Sequence, residues 1–343
     1  MSNSQLFKKA AVFGDIHYGL KNNSRRHNQD CEEFLYWFAD KAKKENCETC
    51  IFLGDLQHHR SAVNVSTLNY LVSAVKILSE SFDNVYLLTG NHDLFYREKR
   101  EIHSFPFAEF HENIHVVNDG PMVIGDVALV PWLVGDEWKQ MKSLKAKYVF
   151  GHFELPKFMM NALVAMPDHS GLQAGDFSHP EYVFSGHFHK RQTKDKIHYI
   201  GSPFAHNFAD VWDNDRGMMI LEWNEEPKYY NWLQGPKYIT INLSSLLKDP
   251  NQYLSQRTYC KVYIDIEVSY EEANFIKETF LSHYKLRDIT MLPSKKSTDQ
   301  SSEWKGSDDI EFENVDKIVY SQLKSLESEF IQNKKLMEIY SQL

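Results

Sequence analysis

Five short segments of the sequence place aspartate, asparagine or histidine directly after an apolar run. They are FGDIHYG (13–19), FLGDLQHH (52–59), LTGNHD (88–93), VFGHFE (149–154) and VFSGHFHK (183–190). Hard oxygen groups and imidazoles bind divalent cations, and one carboxylate can bridge two cations about 3.5–4 Å apart. The pattern predicts a two-metal centre that cleaves phosphate esters. Its seven candidate ligands are Asp15, His17, Asp55, Asn91, His152, His187 and His189.

The spacing within the segments favours one shared site. Residues two apart in an extended segment point the same way, so Asp15 and His17 can face one point, as can His187 and His189. A glycine precedes the ligand in each segment and lets the backbone turn sharply at the end of a strand. One such motif means little in a chain with 16 histidines, whereas five in this order indicate a single functional site.

Alternating strands and helices are predicted to position the first three segments. Apolar runs indicate buried strands at 8–14, 49–54 and 84–90. Apolar residues at helical spacing predict helices over 28–46 and 66–81, the second with Ser66 or Thr67 as N-cap. The stripe of the second helix consists of Leu68, Leu71, Val72, Val75 and Leu78. This β-α-β-α-β order predicts a largely parallel sheet.

From about residue 114 short β runs follow at close intervals and helices are sparser. We therefore expect a second sheet packed on the first in an α/β/β/α sandwich. The motif loops would lie at strand ends, where open α/β sheets bind ligands. Residues 235–243 leave this domain, and the patterns at 260–268, 270–284 and 286–292 predict a small strand-helix-strand unit.

The C-terminal part has two textures. Residues 293–309 are polar and are predicted to be a flexible linker. Residues 310–343 carry apolar residues at steps of three, four or seven, which predicts a helix with an apolar stripe. That stripe either packs on this chain or docks on another protein, and the long linker favours a partner.

Composition limits the class of protein. Apolar content of 42% and charged content of 25% are ordinary for a globular domain, and no run reaches the roughly 18 apolar residues of a membrane span. The N-terminus lacks the pattern of a signal peptide, so a cytoplasmic protein is expected. The formal net charge of −9 argues against gripping nucleic acid by overall charge, although two bound cations would create a local positive field. The CxxC of Cys47 and Cys50 has no second pair, and we interpret both as buried reduced thiols.

The motifs resemble those of the calcineurin-like metallophosphoesterase superfamily. Within it, DIHYG, GDLQHHR, GNHD, GHFEL, SGHFH and YIGSP are most similar to DNA double-strand-break repair nucleases of the SbcD type, in their phage recombination form. These marks fall between residues 13 and 203, and beyond them only the layout agrees.

The resemblance implies roles for individual residues. Metal 1 would lie between Asp15, His17, Asp55 and His189, and metal 2 between Asp55, Asn91, His152 and His187, with Asp55 as the bridge. Both cations are expected to be Mn²⁺. Three further residues are expected to act in catalysis: His92 would contact the scissile phosphate and help to protonate the leaving 3′-oxygen, His58 would position His92 or the substrate, and Asp93 would orient His92.

The resemblance also implies an activity and partners. It is that of a double-strand exonuclease and single-strand endonuclease in DNA recombination and repair, a homodimer working with an SMC-like ATPase of the SbcC type. The domains would be a nuclease domain over 1–235, a DNA-recognition cap over 236–292, the linker 293–309 and an ATPase-binding helical segment over 310–343.

Two points stay open at this level. The chemistry also fits a phosphatase or a nucleotide phosphodiesterase of the same superfamily, although GDLQHHRSA lacks the Asp-Arg-Gly run of the Ser/Thr phosphatases. The basic run after the first motif either contacts DNA phosphates or is a solvated loop. It contains Lys21, Arg25, Arg26 and His27.

Overall fold

The structure, a computed structural model, describes residues 5–168 and 171–293. The predicted linker, beyond its first residue, and the predicted helix over 310–343 lie outside these residues. Contacts group the described residues into one compact unit.

The described residues contain fifteen strands and five right-handed α-helices, besides a short turn over Leu20–Asn23 in which Lys21 and Asn22 have left-handed backbone angles. The strands are β1 (Lys9–Phe13), β2 (Thr49–Phe52), β3 (Asn84–Leu88), β4 (Ile114–Val117), β5 (Met122–Ile124), β6 (Val127–Val130), β7 (Tyr148–His152), β8 (Tyr182–Gly186), β9 (Gln192–Lys194), β10 (Ile197–Tyr199), β11 (Gly217–Glu222), β12 (Lys228–Asn231), β13 (Lys237–Asn242), β14 (Thr258–Ile264) and β15 (Asp288–Pro293). The helices are α1 (Arg25–Lys44), α2 (Val65–Ser81), α3 (Leu243–Lys248), α4 (Pro250–Tyr253) and α5 (Tyr270–His283).

Two six-stranded sheets form the body of the fold. The first has the order β12-β11-β1-β2-β3-β4, and its strands β1 to β4 are parallel. The second has the order β5-β6-β7-β8-β10-β9, with β6, β7, β8 and β10 parallel. The predicted two-sheet α/β architecture is confirmed.

Apolar side chains fill the layers on both sides of the first sheet. Val12 and Ile51 point between the two sheets, where they join a buried cluster with Leu129 and Phe150 of the second sheet. Phe13 points the other way and packs against α1, with its ring 4.5 Å from that of Phe38. Strands buried on both faces read as continuous apolar runs, which explains why the sequence marked them so clearly.

The outer face of the second sheet is covered differently. Among the described residues, its cover consists of loops and short 3-10 turns, Glu137–Ser143 and Ala174–Asp176, instead of long α-helices. Buried side chains in or next to these turns, such as Met141 and Phe177, belong to one apolar cluster with Val149 of β7. The fourth layer of the sandwich is therefore irregular.

Helix α2 begins earlier than the sequence suggested. The side chain of Asn64 accepts hydrogen bonds from the backbone N–H groups of Ser66 (2.9 Å) and Thr67 (3.4 Å). Asn64 has extended backbone angles and is therefore the N-cap. The prediction of Ser66 or Thr67 as the cap is wrong, because both already lie in the first helical turn.

The apolar stripe of α2 is also only partly buried. Leu71, Val75 and Leu78 lie in the core. Leu68 is 40% exposed and Val72 47% exposed, so these two residues of the predicted stripe lie outside the core. With Val65, which is 75% exposed, they form an exposed apolar strip on this helix.

The small unit near the end of the described chain is a parallel three-stranded sheet with the order β13-β14-β15. Helix α5 connects β14 to β15, as the strand-helix-strand pattern predicted, and the sheet has its own apolar cluster around Val262 and Ile289. Arg287 and Arg257 of this unit pair with Asp30 on α1 at 2.7 and 3.5 Å. The small sheet is thereby held against the first helix.

The remaining sequence expectations concern membranes and cysteines. In the described residues no helix has both the length and the apolar character needed to span a bilayer. All four cysteines are buried and unpaired. Burial raises the pKa of the Cys47 thiol to about 12, which disfavours the thiolate that metal binding or redox chemistry would need.

Candidate metal centre

The candidate ligands collect where parallel strands end. Asp15 follows β1, Asp55 follows β2 and Asn91 follows β3. From the facing sheet, His152 is the last residue of β7, and His187 follows β8 directly. Since the carboxyl ends of parallel strands share one edge, the two sheets bring all five segments to one place.

The first ligand group consists of Asp15, His17 and His189, whose candidate ligand atoms lie within 4.8 Å of one another. The Nε2 atoms of His17 and His189 are 3.2 Å apart. Asp15 Oδ1 accepts the backbone N–H of His187 at 2.8 Å. Its Oδ2 is buried and, within the described chain, has no hydrogen-bond partner. A bare carboxylate oxygen beside two imidazole nitrogens fits a cation.

The second ligand group consists of Asp55, His152 and His187, again with ligand atoms within 4.8 Å. Asn91 joins it, because its Oδ1 is 3.0 Å from His152 Nε2 and 3.0 Å from His187 Nδ1. An amide oxygen, a carboxylate and two imidazoles converge here. This donor set fits a second divalent cation.

Asp55 lies between the two groups. Its Oδ2 is 3.5 Å from His17 Nε2 and 3.5 Å from His152 Nε2. Its Oδ1 accepts the backbone N–H of His92 at 2.8 Å, which fixes the orientation of the carboxylate. This placement is the one that a bridging ligand requires.

Outer contacts fix which imidazole nitrogen faces the centre. His152 Nδ1 lies 2.6 Å from the carbonyl oxygen of Leu53, so this nitrogen donates and Nε2 is left for a ligand role. His187 Nε2 lies 3.2 Å from Glu154 Oε2, so Nδ1 faces Asn91. Glu154 was missed in the sequence, although it stands two residues after His152 in GHFE and an extended segment points such residues to one side.

The backbone is strained at the ligands. Asp15, His17, Asp55 and His187 all have positive φ, between 53° and 83°, a region that costs L residues free energy. The glycines give the space for this. A Cβ on Gly90 would lie 2.2 Å from Asp55 Oδ1, and Gly54 has φ of 97° with His152 Nδ1 2.7 Å from a Cβ position. Gly54 precedes Asp55 and Gly90 precedes Asn91, and neither position has room for a side chain.

Electrostatics prepare the groups for cations. Burial raises the pKa of Asp15 to about 7, and it lowers the pKa of His189 to about 4. Burial opposes ionisation of Asp55, yet His152 holds the pKa of Asp55 well below its usual range. Burial likewise opposes protonation of His152, but Asp55 raises the pKa of His152 to about 9. Without a cation, a proton on His152 offsets the charge of Asp55.

The predicted catalytic histidines lie beside this centre and are half-buried. Their rings are stacked, with centroids 5.1 Å apart and planes 15° apart. His92 Nδ1 donates to the carbonyl oxygen of His58 at 2.7 Å, which leaves Nε2 of His92 as the nitrogen able to exchange a proton. His17 is close to both rings, at 5.4 Å from His58 and 4.9 Å from His92.

The prediction for Asp93 needs a correction. Its carboxylate accepts backbone N–H groups of both neighbouring loops, including those of Asp55 at 2.7 Å and Gly90 at 2.9 Å. It also accepts the N–H groups of Leu56 and Gln57. The imidazole of His92 is held by a backbone carbonyl instead. Asp93 therefore stabilises the loop conformation that presents Asp55, because two carboxylate oxygens can satisfy several donors at once.

The basic run after the first motif divides in the structure. Arg25 and Arg26 are exposed, but they lie in the first turn of α1 and not in a loop as predicted. His27 is buried and donates to the carbonyl oxygen of His17 at 3.0 Å, so a DNA contact by His27 is excluded by its burial. Lys21 Nζ contacts Tyr238 Oη and lies over the ring of Tyr259 in the small sheet, so it is engaged within the protein.

The sequence is similar to those of known proteins in the region that carries the motif segments. A profile of the family described as calcineurin-like phosphoesterase matches residues 8–191. Exonuclease subunit 1 of Enterobacteria phage T4 is 27% identical over 229 residues, which cover 64% of this chain and 66% of that protein, just under two thirds of its length.

Two solved structures are also similar. The Pseudomonas putida nuclease MPE is 23% identical and matches over 55% of this chain and 66% of its own, with a TM-score of 0.30. A dimetal phosphatase from Danio rerio is 11% identical and matches over 66% of this chain and 97% of its own, with a TM-score of 0.40.

The family match, over residues 8–191, includes all five motif segments. It covers more than half of the 343 residues. The predicted resemblance and the predicted class of enzyme, a metal-dependent phosphoesterase, are confirmed. The chain belongs to the calcineurin-like phosphoesterase family.

Proposed function

We propose that this protein is a manganese-dependent DNA nuclease that acts as a double-strand exonuclease and a single-strand endonuclease in recombination and repair. One observation carries the proposal: the Asp55 carboxylate lies 3.5 Å from ligand nitrogens of both groups, with the stacked pair His58 and His92 alongside. Two cations with an adjacent proton donor suit hydrolysis of a phosphodiester.

The side chains divide the work. Asp15, His17 and His189 would hold metal 1, and Asn91, His152 and His187 metal 2, with Asp55 shared. When bound, the cations neutralise phosphate charge and activate water. His92, fixed through Nδ1 by the carbonyl of His58, presents Nε2 to protonate the departing 3′-oxygen. Glu154 orients His187, and Asp93 holds the loop of Asp55.

DNA as the substrate is supported by relatives and by sequence. The phage T4 relative is an exonuclease subunit by name, and the second motif, GDLQHHR, departs from the run found in Ser/Thr phosphatases. The net charge of −9 indicates that most of the grip on DNA comes from elsewhere. An SMC-like ATPase of the SbcC type is the proposed source.

In the direct test, the purified protein is incubated with Mn²⁺ and, in parallel reactions, with linear duplex DNA, single-stranded DNA or a phosphopeptide. We expect cleavage of both DNAs, loss of cleavage in His92→Ala, and normal cleavage in His198→Phe, a buried histidine of β10 that contacts Thr193 and Tyr229. Cleavage of the phosphopeptide alone would instead identify a phosphatase.

Partner binding can be tested separately. The 310–343 segment is proposed to dock on the coiled coil of the ATPase, so its deletion should abolish complex formation and spare Mn²⁺-dependent cleavage of a small phosphodiester. Unchanged complex formation would refute this role.

A homodimer is proposed through the exposed apolar strip of Val65, Leu68 and Val72. Leu68→Glu should then yield a monomer in sedimentation.

A further inference from the structure

A buried histidine that the family motifs do not include lies against the first ligand group. His206 is 1% exposed and follows the YIGSP motif. Its ring centroid is 4.9 Å from that of His189 and 5.5 Å from that of His17. The ring stands nearly perpendicular to both, at 80° and 86°. His206 thus contacts both imidazoles that would bind metal 1.

The polar atoms of this ring have no partner. Both Nδ1 and Nε2 of His206 are buried and lack a hydrogen bond within the described chain. A neutral imidazole has one donor and one acceptor, and leaving such groups unpaired in the interior is unfavourable. A phenylalanine would pack in this place without that cost, since Phe204 already lies beside it with ring centroids 5.4 Å apart. A histidine here indicates a polar demand from something other than the protein.

The backbone of His206 is fixed from both sides. Its N–H donates to Asp210 Oδ2 at 2.8 Å, and Asp210 Oδ1 pairs with Arg216 at 3.0 Å. The same Arg216 donates to the carbonyl oxygen of His189 at 2.9 Å. On the other side, Tyr238 Oη of the small sheet donates to the carbonyl oxygen of His206 at 2.9 Å. One buried ion pair therefore holds the position of His206 relative to His189.

We propose that His206 is a positioning residue of the metal 1 site, which holds the rings of His17 and His189 in their ligand orientation and offers a polar edge to the hydrated cation. It is not itself a candidate ligand. Among the described residues it belongs neither to the two ligand groups nor to the third cluster with ligand atoms within 4.8 Å of one another, which consists of His17, His58 and His92. The inference rests on the proposed two-cation site.

Substitutions separate the polarity of His206 from its shape. His206→Phe keeps a flat ring and removes the nitrogens, whereas His206→Gln changes the shape and keeps a polar group. Mn²⁺ binding is measured by calorimetry and by electron paramagnetic resonance on full-length protein. We expect His206→Phe to lower the affinity for one of the two Mn²⁺ ions by about 10- to 100-fold, the usual effect of changing a residue that contacts a metal ligand. His206→Gln should recover part of that loss. The control His198→Phe should bind both ions normally.

Melting in EDTA completes the test. Removing unpaired buried nitrogens should leave the melting temperature of metal-free His206→Phe equal to or above that of the wild type. Normal affinity for both ions in His206→Phe would overturn the inference, as would melting of both variants well below the wild type, which would indicate a packing role. Wild-type protein that binds no pair of Mn²⁺ ions would instead refute the two-cation site itself.

Discussion

The substitution Asp55→Asn tests the central feature of the site. Asparagine keeps an oxygen that can accept the backbone N–H of His92, now 2.8 Å from Asp55 Oδ1. It loses the negative charge of Oδ2, which lies 3.5 Å from both His17 and His152. Because this oxygen faces both ligand groups, we expect both Mn²⁺ ions to be affected. Outer-shell changes cost about 10- to 100-fold in metal affinity, so loss of a direct bridge should exceed about 100-fold, or roughly 2.7 kcal/mol, for each ion.

The variant should nevertheless fold. Asp55 raises the pKa of His152 to about 9, against its opposing burial, so at pH 8 the proton on His152 is worth only about one pKa unit, or about 1.4 kcal/mol. In Asp55→Asn that proton is released, and His152 becomes neutral without leaving an unpaired charge. The free energy of unfolding of metal-free Asp55→Asn should therefore lie within about 1–2 kcal/mol of the wild-type value. This difference is a small part of the roughly 5–15 kcal/mol that is usual for a folded domain.

The assay is a Mn²⁺ titration by calorimetry at pH 8, with urea unfolding in EDTA as the folding control. Asp30→Asn is a matched substitution, because Asp30 is a buried carboxylate that pairs with Arg287 and Arg257 away from the ligand groups. It should bind both ions. If Asp55→Asn retained one ion at wild-type affinity, Asp55 would serve a single cation, and the bridging argument would fail.

Three further predictions follow from the same geometry. Glu154→Gln should weaken Mn²⁺ binding by about 10- to 100-fold, because the charge beside His187 Nε2 is lost, whereas the exposed control Glu181→Gln should have no effect in the same titration. His92→Ala should bind Mn²⁺ normally but lose about 10²- to 10⁴-fold in kcat on DNA, and a smaller loss would remove its role as the general acid. Mn²⁺ affinity should fall as pH falls, because cations must displace the protons of His152, with a pKa of about 9, and of Asp15, with a pKa of about 7. We expect about tenfold per pH unit between 9 and 7 and a steeper fall below 7, and calorimetry in buffers of different ionisation enthalpy measures the released protons.

The sequence alone was sufficient to predict the strands and the ligand types. The strands β1, β2 and β3 are buried on both faces, so local apolar runs marked them, and the two-residue steps within motifs reflect extended backbone. The small sheet was predictable from a different signal, because β14 alternates buried and half-buried residues along its length. Boundaries were less secure, as the N-cap Asn64 shows, because a cap depends on which side chain reaches the first free N–H groups.

The arrangement of the centre was decided by the tertiary structure. Asp55 lies between the two groups because the two sheets pack on each other. His17 follows a strand of the first sheet and His152 ends a strand of the second, and no local pattern links these residues, which are 135 positions apart. Glu154 and His206 were missed because a contact with a ligand ring leaves no periodic signal. The role of Asp93 was misjudged because its backbone partners lie in another loop, 36 to 38 residues away.

The same distinction explains the exposed strip on α2 and the buried His27. Helical spacing shows which residues share a face, but the width of the face that is covered depends on neighbouring elements, here the first sheet and α1. A polar run predicts exposure, yet His27, in the first turn of α1, donates to the backbone of His17 in the interior. Short-range pattern thus determined the candidate ligands and the strands that carry them. Long-range packing decided which of these groups meet, because contacts between distant segments depend on how whole sheets are layered.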